Sequence, residues 1–205
     1  MAEFARMNAA DLKLSENHTY SLEGRQVPGV TSILDSFGLA INKELVNPVV
    51  LAQARWRGTS VHKLTAYYDN GVLKSSVVQP GDIGDRVLQY IKFRRESGFE
   101  PELTECRLFS EKYWYAGTLD RVGDIGGVKS LIDIKTVTAG PGAGPQTAAY
   151  QVALKESYGI VTLRRYALVL QPDRYELVKL DAQDDWAIFM AALTLTHWKT
   201  KRNLP

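Results

Sequence analysis

The sequence predicts an α/β fold in which a mixed central β-sheet is flanked by helices. Three observations predict it. Two long stretches of helical periodicity occupy residues 48–70 and 80–97. Three strand-like segments follow in succession at about 103–110, 113–123 and 129–136. A break rich in glycine and proline then leads into a helix, two more strands and a terminal helix, an order that suits helices layered on one sheet.

The elements follow in order. Residues 1–17 are polar with scattered apolar positions and read as a loose arm. His18 to Val27 alternates around a Glu23-Gly24 turn and reads as a short hairpin, so 1–26 forms an N-terminal arm and hairpin ahead of Pro28. Thr31 to Phe37 starts a helix, with Thr31 or Ser32 as its cap. Pro48 to Asn70 is a long helix closed by Gly71, with Val49, Ala52, Trp56, Leu64 and Tyr67 roughly on one side. Pro80 to Ser97 is a second, with Ile83, Val87, Tyr90, Ile91 and Arg94 near helical spacing and Gly98 as its stop. After the three strands, Thr138 to Pro145 carries a Gly-Pro-Gly-Ala-Gly-Pro core and reads as a loop. Gln146 to Tyr158 is the third helix. Strands at about 162–171 and 174–180 flank a Pro172-Asp173 turn, and Asp184 to Lys199 closes the chain as a helix. No repeat or linker divides it, so residues 1–205 read as a single domain with its core at about 100–180.

Composition narrows the function classes. Hydrophobic residues at 45% and aromatics at 10% belong to a folded protein rather than a disordered one. A net charge of +2, from 25 basic and 23 acidic residues, is a weak argument for nucleic acid, although an acidic metal site would mask local basic character. Cys106 is the sole cysteine, which excludes an internal disulfide framework and any multi-cysteine metal site. No apolar run reaches the ~18 residues of a membrane helix, and the N-terminus lacks a signal-peptide core. The expected location is the cytoplasm of a bacterium or of a phage-infected one, with no membrane partner.

Chemistry concentrates between Gly117 and Tyr150. Asp120 is followed thirteen residues later by Asp133, which opens the triplet Asp133-Ile134-Lys135. Strand alternation projects Asp133 and Lys135 together while Ile132 and Ile134 point the other way. Gly126-Gly127 offers a hairpin turn that brings Asp120 alongside Asp133. Two carboxylates and an ammonium at the end of a sheet make a site for a hard divalent cation, and magnesium suits it. Asp133 lies in an apolar central-strand context, where a carboxylate is costly unless paired or metal-bound; its structural alternative is an ion pair with Lys135. Asp120 has a bland alternative too, a surface carboxylate paired with Arg121. Lys135 either stabilises negative charge developing on a phosphate or helps deprotonate the nucleophile. Glu105, on the first strand of the sheet, is a further candidate for the carboxylate cluster, with Glu102 and Glu111 as competitors. Gln146 and Tyr150, four apart, share a helix face.

The segment resembles the PD-(D/E)xK nuclease superfamily, in particular its RecB-like exonuclease branch in phage-type form. The resemblance rests on Gly117-Thr118-Leu119-Asp120, on Asp133-Ile134-Lys135, on Gln146-Thr147-Ala148-Ala149-Tyr150, and on Arg57-Gly58-Thr59-Ser60-Val61-His62 upstream. Val27-Pro28-Gly29-Val30-Thr31-Ser32-Ile33-Leu34 is similar to the leader of phage-type members, and the likeness runs from about Val27 to Leu180. It implies a restriction-endonuclease-like core and a deoxyribonuclease dependent on Mg2+, with Mn2+ able to substitute and no iron–sulfur cluster. It also implies metal ligation by His62, Asp120, Asp133 and the main-chain carbonyl of Ile134. Asp120, Asp133, Lys135, Gln146 and Tyr150 would form the catalytic set, with Gln146 and Tyr150 touching the DNA backbone or supporting the lysine. DNA is the expected partner, with phage or host recombination or replication proteins beyond it. The exonuclease reading rests on resemblance alone. Its alternatives are a structure-specific endonuclease, a catalytically inactive nucleic-acid-binding module of the same fold, and a sugar- or nucleotide-phosphate hydrolase.

Basic residues at Arg55, Arg57, Lys63, Arg94, Arg95, Arg164 and Arg165 could track a phosphate backbone, and Trp56, Trp114 and Tyr115 could stack on bases. Arg57, Arg121 and Tyr115 are the DNA-contact candidates nearest the motifs. His18 and His197 have no such context and read as structural or exposed.

Overall fold

In the computed structural model, residues 11–15, 19–39 and 47–204 are described. The chain runs β1 (Lys13–Leu14), β2 (Tyr20–Leu22), β3 (Arg25–Val27), α1 (Val30–Ser36), α2 (Pro48–Asp69), a 3-10 turn (Ser75–Val77) and α3 (Asp82–Ser97). It continues through β4 (Glu100–Ser110), β5 (Tyr115–Ile125), β6 (Val128–Lys135), α4 (Ala143–Tyr158), β7 (Arg164–Leu170), β8 (Tyr175–Lys179) and α5 (Asp185–Lys201). The expected fold class is therefore observed: a mixed sheet with helices on both sides. His18 and most of the expected N-terminal arm lie outside the described residues.

The main sheet has the order β4-β5-β6-β7-β8. Gly126 and Gly127, at φ 57° and 77°, close the two-residue turn between β5 and β6. A turn with both central residues at positive φ matches the twist of a hairpin, and glycine adopts it at least cost. β6 and β7 are parallel, and the chain crosses between them through α4. A parallel pair needs such a crossover, and the helix it carries covers one face of the sheet.

Alternation along β6 then distributes the core. Leu131 joins Leu108, Tyr115, Leu119 and Val122 beneath Tyr150 and Leu154 of α4 and Phe189 of α5. Ile132 and Ile134 face the other way, against Val61 of α2 and Tyr90 and Phe93 of α3. Asp133 and Lys135 consequently project toward α4, on the face of Leu131 and opposite Ile132 and Ile134, as strand alternation predicts.

Some local expectations fail for physical reasons. Lys13–Leu14 is a strand, paired antiparallel with β2, in a segment that reads as a loose arm. α1 begins at Val30 with Gly29 as its cap residue and no side-chain capping bond, so neither Thr31 nor Ser32 caps it. α4 starts at Ala143, inside the glycine–proline stretch, because Pro145 falls in the first turn where no backbone N–H is required. On α2 the expected apolar side is largely solvent-facing: Val49 is 64% and Trp56 66% exposed, while Val61, Thr65 and Ala66 are buried. No helix among the described residues is long and apolar enough to cross a membrane.

Candidate metal centre

β4, β5 and α2 meet at the edge of an open cleft of about 570 Å³. There the side chains of His62, Glu105 and Asp120 each bring one ligand atom to within 4.8 Å of the other two. His62 Nδ1 lies 3.2 Å from Asp120 Oδ1 and 3.6 Å from Glu105 Oε1. The peptide of Ile134 fixes two of these residues. Its N–H donates to Asp120 Oδ2 at 2.6 Å, and its carbonyl lies 3.1 Å from His62 Nε2. With a proton on Nε2, the ring donates to that carbonyl and turns Nδ1 toward the two carboxylates. Metal-bound histidines are commonly oriented in this way by a backbone carbonyl. The Ile134 carbonyl, expected as a ligand, is thus engaged by the histidine that it orients.

The donors, one imidazole and two carboxylates, suit a divalent cation that accepts nitrogen and oxygen. Glu105 keeps a side chain 35% exposed, which leaves one flank of the cluster open to water. In the metal-free protein a proton answers the acidic charge. Burial disfavours a charged His62, but the Asp120 charge, with hydrogen bonds to Asp120 and Glu105, outweighs it and raises the pKa to about 10. Asp120 responds in the opposite sense. Burial would raise its pKa, yet the His62 charge and hydrogen bond, the Ile134 N–H and Arg121 lower it.

A local irregularity builds the cluster. Leu119 and Val122 are three apart yet share one core, while the consecutive residues Asp120 and Arg121 both reach α2, through His62 and through Thr65 and Asp69. The pairs Thr104–Arg121 and Cys106–Leu119 bracket the break, and between them Glu105 sits at φ 50°. A non-glycine residue in the left-handed region costs about 1–2 kcal/mol, and such strain persists where surrounding bonds impose it.

Beside this cluster lies the Asp-Ile-Lys triplet. Lys135 Nζ approaches Asp133 Oδ2 at 2.8 Å and donates to Gln146 Oε1 at 3.0 Å. Gln146 Nε2 is 3.1 Å from both Asp133 Oδ1 and the Tyr150 hydroxyl oxygen. Burial and repulsion from Asp120 raise the pKa of Asp133 against the opposing charge of Lys135. Lys135 is raised as well: burial opposes its charge, but Asp133 favours it more. Gly117 explains itself here, because a Cβ at that position would lie 2.5 Å from Cε1 of the Tyr150 ring.

His62, Glu105, Asp120, Asp133, Ile134, Lys135, Gln146 and Tyr150 all line the one cleft. Asp133 is not one of the three clustered residues and is engaged by Lys135 and Gln146. Among the competing carboxylates, Glu102 is engaged by Lys129 at 2.6 Å, and Glu105 is the one in the cluster. Two of the DNA-contact candidates, Arg121 and Tyr115, need correction. Arg121 is 0% exposed and ion-paired to Asp69 and Glu105. Tyr115 is also 0% exposed and donates its hydroxyl to the Ala149 carbonyl. Arg57 does not line the cleft and pairs with Asp82 at 3.5 Å. A segment as apolar as the one around Arg121 marks a central strand, where an arginine reaches protein partners rather than a ligand. His197 meets the Trp114 carbonyl and is structural.

Sequence reasoning missed Thr118, Thr136 and Thr138, which line the cleft with Arg55 and Lys135. Thr118 shares a 2.9 Å hydrogen bond with Tyr20 of the small sheet. Its place within Gly117–Asp120 was the available signal.

No family model matches the chain. No curated protein matches it either. Among solved structures it is similar to the crystal structure of SSO0001, at 15% identity over 82% of this chain and 83% of that one, with a TM-score of 0.34.

Proposed function

We propose that this chain is a Mg2+- or Mn2+-dependent deoxyribonuclease of the PD-(D/E)xK superfamily, RecB-like in type, that hydrolyses phosphodiester bonds as an exonuclease. The observation that carries this reading is the meeting, in one open cleft, of Asp133 and Lys135 with the His62, Glu105 and Asp120 cluster. The donor set fits a hard divalent cation, and the adjacent ammonium fits the phosphate it would act on. When bound, the cation supplies a Lewis acid and lowers the pKa of a coordinated water.

The chain's own residues do the rest. His62, Glu105 and Asp120 would hold the cation. Asp133 keeps Lys135 protonated, so Lys135 serves as a fixed positive charge for the phosphate oxygens rather than as a base. Gln146 holds the Lys135 ammonium and the Asp133 carboxylate in register, and the Tyr150 hydroxyl accepts a hydrogen bond from Gln146. Arg55 and the threonines of the cleft wall receive the neighbouring backbone phosphates.

DNA labelled at the 5′ or the 3′ end, single- or double-stranded, tests the proposal. Magnesium-dependent release of mononucleotides from one end is expected, and is lost in Asp133→Ala and Lys135→Ala. Internal nicks would move the reading to an endonuclease, and binding without cleavage to an inactive module. Equal cleavage by wild type and Lys135→Ala would overturn it.

A further inference from the structure

Arg121 is the largest fully buried side chain among the described residues, and its bonds converge on a single place. Nη1 donates to Glu105 Oε1 at 2.8 Å and to the Asp120 carbonyl at 2.7 Å. Nη2 donates to Thr65 Oγ1 at 2.9 Å, and that hydroxyl donates to the His62 carbonyl at 3.0 Å. Nε donates to Asp69 Oδ2 at 2.6 Å. One guanidinium is therefore bonded to Glu105 by its side chain, to Asp120 by its main chain and to His62 through Thr65.

We propose that Arg121 is a positioning residue of the metal centre, holding the three ligand residues at the spacing a divalent cation requires. The inference rests on the metal-dependent reading given above. A purely structural ion pair with Asp69 does not account for the arrangement. Asp69 already accepts from the Tyr90 hydroxyl at 2.6 Å and from Arg94, so its charge is answered without Arg121. The remaining donors of Arg121 point to the ligand residues instead. Glu105 supplies a second argument: its φ of 50° is strained, and Arg121 holds its carboxylate.

The role depends on shape rather than charge. A guanidinium is a rigid planar fork that can bond in several directions at once, whereas an ammonium is a compact charge on a flexible stem. Arg121→Lys keeps the buried positive charge and cannot span Glu105, the Asp120 carbonyl, Thr65 and Asp69 together. Loss of an outer partner of a metal ligand typically weakens metal affinity by about 10–100-fold.

Calorimetric titration with Mn2+, with the electron paramagnetic resonance spectrum of the bound ion, tests this without any substrate. Wild type is compared with Asp120→Asn, Arg121→Lys, Thr65→Val and Thr65→Ser. Arg121→Lys is expected to bind Mn2+ about 10–100-fold more weakly with a changed spectrum. Thr65→Val should move the same way by less, and Thr65→Ser, which keeps the hydroxyl, should return to wild-type affinity. If Arg121→Lys fails to fold by circular dichroism, the Thr65 pair decides. Wild-type affinity and spectrum in Arg121→Lys and Thr65→Val, with binding lost in Asp120→Asn, would overturn the positioning role and leave the metal reading standing. Equal Mn2+ binding by wild type and Asp120→Asn would overturn the metal reading, and the positioning role with it.

Discussion

Lys135 and His62 are two cations whose charge depends on the acids beside them, and each yields a measurement. Because Asp133 holds Lys135 in its charged form, Lys135→Ala is expected to cut cleavage by about 10²–10³-fold or more. Mn2+ binding should be kept or improved, since a positive charge beside the cation is gone. Near-wild-type turnover would return Lys135 to a structural ion pair. For His62 the folded pKa of about 10 stands above the ordinary 6.5. A pKa raised by folding contributes stability that is fully present below about pH 6.5 and disappears as pH rises through about 10. The melting-temperature gap between metal-free wild type and His62→Ala should therefore be widest below about pH 6.5 and close by about pH 10. A constant gap would show that the ring is not held as a cation. The acids and the lysine were legible because strand alternation alone places Asp133 beside Lys135. Arg121 was not, since a sequence shows no break in alternation and Glu105 gives no sign of its positive φ.

At the scale of the element, the junction of β5 with α4 carries the clearest test. Gly117 lies against the Tyr150 ring, and Tyr150 lies against Gln146, so a methyl group at 117 must displace the ring that supports the Lys135–Asp133 pair. Gly117→Ala should destabilise the protein by about 1–3 kcal/mol in urea denaturation and lower cleavage as well. An unchanged midpoint would mean that the ring yields freely. Helix and strand order was readable from periodicity and turn residues, and the Gly126-Gly127 hairpin from its chemistry. The burial of α2 was not. Val49 and Trp56 suggest an apolar stripe, but the face that meets the sheet is the one bearing Val61, His62 and Thr65. Polar bonding overrode the apolar pattern, and hydrophobic spacing cannot reveal that.

For the whole molecule, the candidate ligands come from distant parts of the chain: His62 from α2, Glu105 from β4 and Asp120 from β5. A cation that binds the folded state and not the unfolded one adds stability that grows with its concentration. Mn2+ should raise the melting temperature of wild type, and far less that of Asp120→Asn, where the cluster loses a carboxylate. An equal rise in both would place the ion elsewhere.

The mode of attachment of α2 has a consequence for motion. Of its 22 residues, the buried ones are Val61, Thr65 and Ala66. Much of its grip on the sheet is polar: His62 to the Ile134 carbonyl, and Thr65 and Asp69 to Arg121. Elements with few buried apolar groups open at low free energy, without global unfolding. α2 would then behave as a hinged clasp, with the cation as the pin joining it to β4 and β5. Amide hydrogen exchange should be faster in α2 than in β5 and β6 in the metal-free protein, and should slow in α2 when magnesium is added. The site would close as it loads, and the helix bearing His62 would report its occupancy.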